Sequence, residues 1–166
     1  MARKTFYSFH YVPDAWRAGQ VRSMGVVDGN VPAADNDWET VTKGGDVAIA
    51  NWIANQMNGR SCTVVLAGAQ TAGRKWIKHE IIESWNAKMG VLAIHIDMLK
   101  DTKGLQSLRG ANPLSSITLK SGTVNLSSVA TCHVPPYTDS ARAYSYIKTN
   151  LPGWIEDAIK IRADYK

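Results

Sequence analysis

The sequence predicts a three-layer α/β domain with a mostly parallel central sheet and helices on both faces. Two observations carry that prediction. The stretches CTVVLAG (62–68) and VLAIHI (91–96) are apolar along their whole length and are strand-sized, as strands covered on both faces must be. Strand-like and helix-like segments also alternate along the chain, the pattern of βα units joined by crossovers. A chain of 166 residues, 45% hydrophobic and 20% charged, is long enough for one real core. A single domain over 1–166 is therefore expected, with no internal repeat and no linker.

Taken in order, TFYSFHY (5–11) reads as a short aromatic and polar strand. DAWRAGQVRSMG (14–25) reads as a helix, with Asp14 as N-cap, Gly25 as C-cap, and an apolar face of Ala15, Ala18, Val21 and Met24. Residues 25–44 are rich in Gly, Asn and Asp and predict a loop with at most a short strand. Val47, Ala50, Ile53, Ala54 and Met57 recur at helical spacing and predict a helix over 46–57. The strand at 62–68 leads into a helix from about Arg74 to Met89, ended by Gly90, and the strand at 91–96 follows. Residues 97–116 predict a polar loop and 117–134 carry weak β character in SITL and SVATCHV. Two closing helices are expected at 140–151 and 154–165, the second burying Trp154, Ile155, Ala158, Ile159 and Ile161.

Composition removes several classes of function. The net charge of +5 is mild and its Lys and Arg are scattered, so no stripe for nucleic acid is expected. Cys62 and Cys132 lack metal-ligand spacing and predict reduced thiols in a cytoplasmic protein. The N-terminal MARKTFYSFHYVPD is polar almost at once, and no stretch is long enough to cross a bilayer, so no membrane partner is expected. A Walker loop, a G-x-G-x-x-G turn and a G-x-S-x-G elbow are all missing. A receiver domain would need an acidic pair after the first strand, where this chain has Phe9, His10 and Tyr11. Asp35, Asp37 and Asp46 imitate part of a calcium loop, but its glycine position holds Thr40 and its last ligand is not Glu. His10, His79, His95 and His133 share no ligand spacing, so no metal is expected.

The remaining candidate is the helix RKWIKHEIIESW (74–85). At about 100° per residue, Ile77, Ile81, Ile82, Trp85 and Met89 fall on one arc facing the sheet. Trp76, Glu80 and Ser84 form a neighbouring ridge, which puts Glu80 at the margin between core and solvent. Ligands of such sheets bind outside the carboxyl ends of the strands, here at SFHY (8–11), AGAQT (67–71) and IDM (96–98). The aromatics of SFHY can cradle a flat ring.

SFHY, VVLAGAQT and RKWIKHEI with its W-x-x-x-E, taken in that order, resemble the TIR superfamily. More narrowly they resemble the bacterial and archaeal TIR-like family that includes the Thoeris anti-phage TIR protein. WRAGQVR, DWETV…GGDVAI, IHIDMLKDTKG and RGANPL are similar to that family too. The resemblance covers a core of about 3–116 closely and C-terminal helices at about 139–165 more loosely. It implies a flavodoxin-like TIR fold, cleavage of the nicotinamide–ribose bond of NAD+, and conversion of the ADP-ribose part into a signal nucleotide for an effector. Glu80 is then the catalytic residue. It must be ionised to stabilise positive charge on the ribose, and its nearness to the helix N-terminus would help.

Under the same resemblance Ser8, Phe9, His10 and Tyr11 lie along the nucleotide, with Trp76 and Ser84 as wall and support. Trp38 belongs to a lid over the nicotinamide or to a contact between protomers. His79 and Glu83 read as solvated helix residues. NAD+ is expected as substrate with no cofactor, together with self-association into a dimer or larger assembly and a phage-derived trigger. Two rivals stay open: a TIR-like interaction module without catalysis, and a nucleotide sensor that does not turn over. Glu80 facing an open pocket with aromatics would favour the enzyme, and Glu80 locked to Arg74 or Lys78 with no cavity beside it would favour the module.

Overall fold

The computed structural model describes residues 3–29, 42–120 and 122–165. Its centre is a five-stranded sheet, parallel at every pairing, built from β1 (Lys4–Phe9), β2 (Asp28–Gly29), β3 (Cys62–Ala67), β4 (Gly90–His95) and, after a small β5–β6 hairpin (Thr118–Leu119 and Val124–Asn125), β7 (Cys132–His133). The spatial order is β2-β1-β3-β4-β7. Helices cover both faces, so the expected three-layer α/β architecture is the one present.

One face carries α1 (Tyr11–Arg22) and the long α4 (Ser140–Asp164). Tyr7, Val64, Leu66, Leu92 and Ile94 from the strands meet Ala18, Val21, Ile147, Leu151 and Ile155 there. The other face carries α2 (Gly45–Met57) and α3 (Lys75–Asn86). Val65, Val91 and Ala93 lie under Ile77, Ile81 and Trp85 of α3, and Phe6 lies under Ile49, Ile53 and Met57 of α2. Each residue of β3 and β4 is buried, which is why both read as unbroken apolar runs.

Several sequence expectations change in detail. Helix α1 begins at Tyr11 rather than after Asp14, with His10 as N-cap. Pro13 sits in the first turn, where its missing N–H costs nothing. Asp14 is no cap; its carboxylate is buried beside Arg17. In α2 the buried side is Ile49, Ile53 and Met57, while Val47 and Ala54 face outward. In α3 Ile82 is exposed, and the helix stops at Asn86, so buried Met89 belongs to the turn beyond it.

The two closing helices are one. Ala143, Ile147, Leu151, Ile155 and Ala158 form a single buried stripe through Pro152. Pro152 and Lys148, four residues before it, are both exposed. The carbonyl that the proline leaves unbonded can therefore reach water. Of the expected buried side, Trp154, Ile159 and Ile161 are only partly covered.

Helix α4 lies on β4 so closely that a Cβ at Gly90 would stand 2.7 Å from the Ile159 backbone nitrogen. Gly19, in α1, has open space where its Cβ would go. Gly90→Ala should lower stability by about 1–3 kcal/mol through overpacking, read as an earlier urea midpoint at unchanged slope. Gly19→Ala should leave stability level or slightly raised. Wild-type stability in Gly90→Ala would contradict this packing.

Candidate functional site

The β1 and α3 elements bring the first two candidates together. Ser8 is buried near the carboxyl end of β1, and its hydroxyl donates a short hydrogen bond to Glu80 Oε2. Phe6 and Ser8 of β1 and Thr63 and Val65 of β3 are registered neighbours and point to the α3 side of the sheet. Glu80 therefore reaches the sheet from above, with part of its surface still open.

No salt bridge joins Glu80 to any cation among the described residues. Arg74 instead donates to Gln70. Burial without a counter-charge pushes the Glu80 carboxyl up to about 8, and the Ser8 hydrogen bond offsets this only in part. The help expected from the helix N-terminus in ionising Glu80 meets a stronger opposing effect. Glu80 is the sixth residue of α3, past the first turn where the helix field is strong, and desolvation outweighs what remains.

Ser84, predicted beside Glu80, is wholly buried. Its hydroxyl donates to the Glu80 backbone carbonyl at 2.6 Å and lies 2.6 Å from Thr63 Oγ1. It thus ties the helix to β3. Phe9 and Tyr11 stack with ring centroids 6.1 Å apart. His10 between them has a buried Nδ1 without a hydrogen-bond partner among the described residues. Burial first and the nearby Arg74 charge second hold His10 below its ordinary value, so its imidazole is neutral near pH 7.

Trp76 stands between α2 and α3, edge-on to His79 with centroids 5.2 Å apart and with Lys75 Nζ over its ring. Together with Asp46, Val47 and Ile82 these residues line an open groove. His79 is partly buried there rather than solvated, whereas Glu83 is exposed. Trp38 lies outside the described residues.

Sequence reasoning missed a polar layer at the carboxyl ends of the strands. Arg17 is buried and donates to the carbonyls of Leu99 and Leu105 at 2.8 and 2.9 Å, beside Asp14 at 3.7 Å. Asp14 accepts from Thr71, whose hydroxyl accepts from Gly68 N. Asp97, buried at the end of β4, pairs with Arg109 at 3.4 Å. The loop after β4 is thereby fixed to α1 and to the β3–α3 turn. A Cβ at Gly110 would meet Gly68 O at 2.4 Å, so the two loops touch backbone to backbone. The Thr63–Ser84 contact is separate from this layer, and its one signal in the sequence is a hydroxyl inside an otherwise apolar strand.

A raised folded-state pKa fixes the sign of a pH effect. From about 4.5 upward the unfolded chain loses the Glu80 proton, while the folded protein keeps it until about 8. Stability therefore falls as pH rises through that window. Glu80→Gln keeps an acceptor for Ser8 and removes the titration. Its melting temperature should match the wild type near pH 4.5 and exceed it by several degrees at pH 8.5. Equal melting temperatures at both pH values would contradict the buried, unneutralised carboxyl.

Residues 6–101, from β1 through the turn after β4, match the family model described as Thoeris protein ThsB, TIR-like domain. A protein of Bacillus cereus (strain MSX-D12) named "Putative cyclic ADP-D-ribose synthase ThsB1" is 37% identical over 119 residues, covering 68% of this chain and 62% of that protein. The chain thus spans less than two thirds of the relative's length. Both Ser8 and Glu80 fall inside the matched span: the chain belongs to the family of Thoeris ThsB TIR-like domains.

Proposed function

We propose that this protein is an NAD+-cleaving enzyme of the glycohydrolase and cyclase type, which breaks the nicotinamide–ribose bond and forms an ADP-ribose-derived signal nucleotide for an anti-phage effector. The observation that carries this reading is Glu80: a carboxyl held by Ser8 and left without a cation among the described residues. A salt bridge from Glu80 to Arg74 or Lys78 would have favoured the interaction module, and among the described residues there is none. The printed name of the Bacillus cereus relative points to the same product class.

The chemistry needs little more than one carboxylate. The C1′–N bond breaks with its electron pair going to the nicotinamide nitrogen, which leaves as a neutral molecule, so no acid need protonate it. Positive charge develops on the ribose, and a fixed carboxylate beside it lowers the barrier. Near pH 7 the isolated carboxyl is largely protonated. The pyridinium charge of NAD+ supplies the missing cation, so substrate binding ionises Glu80 where it is needed. An acceptor nucleophile then bonds to C1′ and releases its proton. Water gives ADP-ribose, and a nucleophile within the bound molecule gives a cyclic product if it is held closer than water.

The aromatic pair Phe9 and Tyr11, with neutral His10 between them, offers stacking surface for the nucleotide. Self-association and a phage-derived trigger belong to the same proposal, as does cytoplasmic location. Among the described residues no helix is long and apolar enough to cross a membrane.

The test is nicotinamide release from NAD+ by purified protein, with lysate from phage-infected cells added as the source of trigger. Glu80→Gln should reduce release by about 100-fold or more, with the fold intact. Release unchanged in Glu80→Gln and in Glu80→Ala would overturn the catalytic assignment. Thermal stabilisation by NAD+ without any release would point to the sensor.

A further inference from the structure

We infer that Thr63 is a positioning residue for Glu80, acting through Ser84; this rests on the reading of Glu80 as the catalytic carboxylate. Ser84 has one hydroxyl proton, and it is committed to the Glu80 backbone carbonyl at 2.6 Å. Thr63 Oγ1, 2.6 Å from Ser84 Oγ, must then donate to Ser84. The result is a directed chain, Thr63 to Ser84 to the Glu80 carbonyl. Thr63 and Ser84 are both fully buried, so water cannot replace either link. The β-branch of Thr63 restricts its own rotamer, which gives the chain a fixed origin on β3.

Helix α3 is thereby held at two points by two neighbouring strands. Ser8 of β1 holds the Glu80 side chain, and Thr63 of β3 holds the Glu80 backbone from one turn further along the helix. The spacings agree. Four helical residues from Glu80 to Ser84 advance about 6 Å. On the sheet, Ser8 is registered with Val65, and the two residues back to Thr63 cover about 6.6 Å. Both pairs can be satisfied at once only at one axial position and one rotation of α3. Apolar contacts of Ile77, Ile81 and Trp85 hold the helix on the sheet, but such contacts are non-directional and tolerate small sliding. The hydroxyl chain removes that freedom, and catalytic geometry is lost at displacements near 1 Å.

Thr63→Val keeps shape and removes the donor; Thr63→Ser keeps the donor and removes a methyl. Under conditions that activate the wild type, Thr63→Val should lower kcat for nicotinamide release about tenfold, with KM changed less than about twofold. Thr63→Ser should recover most of the rate.

A second readout needs no turnover. The chain has four glutamates, Glu39, Glu80, Glu83 and Glu156, so 13Cδ-labelled glutamate gives few resonances, and Glu80→Gln assigns the one of interest. The Glu80 titration midpoint should fall toward that of an ordinary carboxyl in Thr63→Val and stay near the wild type in Thr63→Ser. Ser84→Ala should reproduce the Thr63→Val midpoint, which covers the case of Thr63→Val failing to fold. An unmoved Glu80 midpoint in Thr63→Val, or in Ser84→Ala where that variant stands in, overturns the inference. So does a loss of rate in Thr63→Ser equal to that in Thr63→Val. If Glu80→Gln still released nicotinamide, the functional reading would fail, while the Glu80 midpoint would still decide whether the tether exists.

Discussion

A carboxyl group placed against a sheet without a counter-ion is the constraint around which this protein is organised. Burying an ionisable group without a partner costs free energy, and folded proteins avoid it by pairing the charge or letting it take up a proton. Here the second solution is used: Ser8 donates to Glu80, no cation among the described residues answers it, and its pKa rises to about 8. The arrangement is unfavourable for the empty protein and becomes favourable beside a ligand that carries its own positive charge. That asymmetry is what separates Glu80 from Glu83, three residues on and exposed.

Elsewhere the same end of the sheet is treated in the opposite way. Asp14 faces Arg17 and Thr71, and Asp97 faces Arg109, so those buried carboxylates have partners. Arg17 carries its charge into a set of backbone carbonyls and fixes the loop after β4 to α1. These contacts keep the carboxyl ends of β1, β3 and β4 in one arrangement, with Gly68 and Gly110 allowing the loops to touch. Asp14 and Asp97 thus each have an arginine beside them, whereas Glu80 has no cation beside it among the described residues.

Much of this was legible in the sequence. Two unbroken apolar strands and the βα alternation were enough for the three layers, because parallel strands buried on both faces leave no other pattern. Helical periodicity found Ile77, Ile81 and Trp85, and put Trp76, Glu80 and Ser84 on one ridge. Periodicity says where a side chain points and not what it meets. Ser84 therefore read as support for the site without its bond to β3 being visible, and Asp14 read as a cap when it is a buried partner of Arg17. Two closing helices were expected where one runs through Pro152, because a sequence does not show that the carbonyl the proline frees is on the solvent side. Thr63 went unnoticed inside CTVVLAG, since its meaning depends on Ser84, 21 residues away, packing across it.

The central claim, that a cationic ligand ring ionises Glu80, is tested most directly by proton release on binding. Calorimetric titration of a non-cleavable NAD+ analogue at pH 7, in two buffers of different ionisation enthalpy, counts the protons released. The account predicts that the wild type gives up most of one proton and that Glu80→Gln gives up far less. Equal release from both proteins would contradict it.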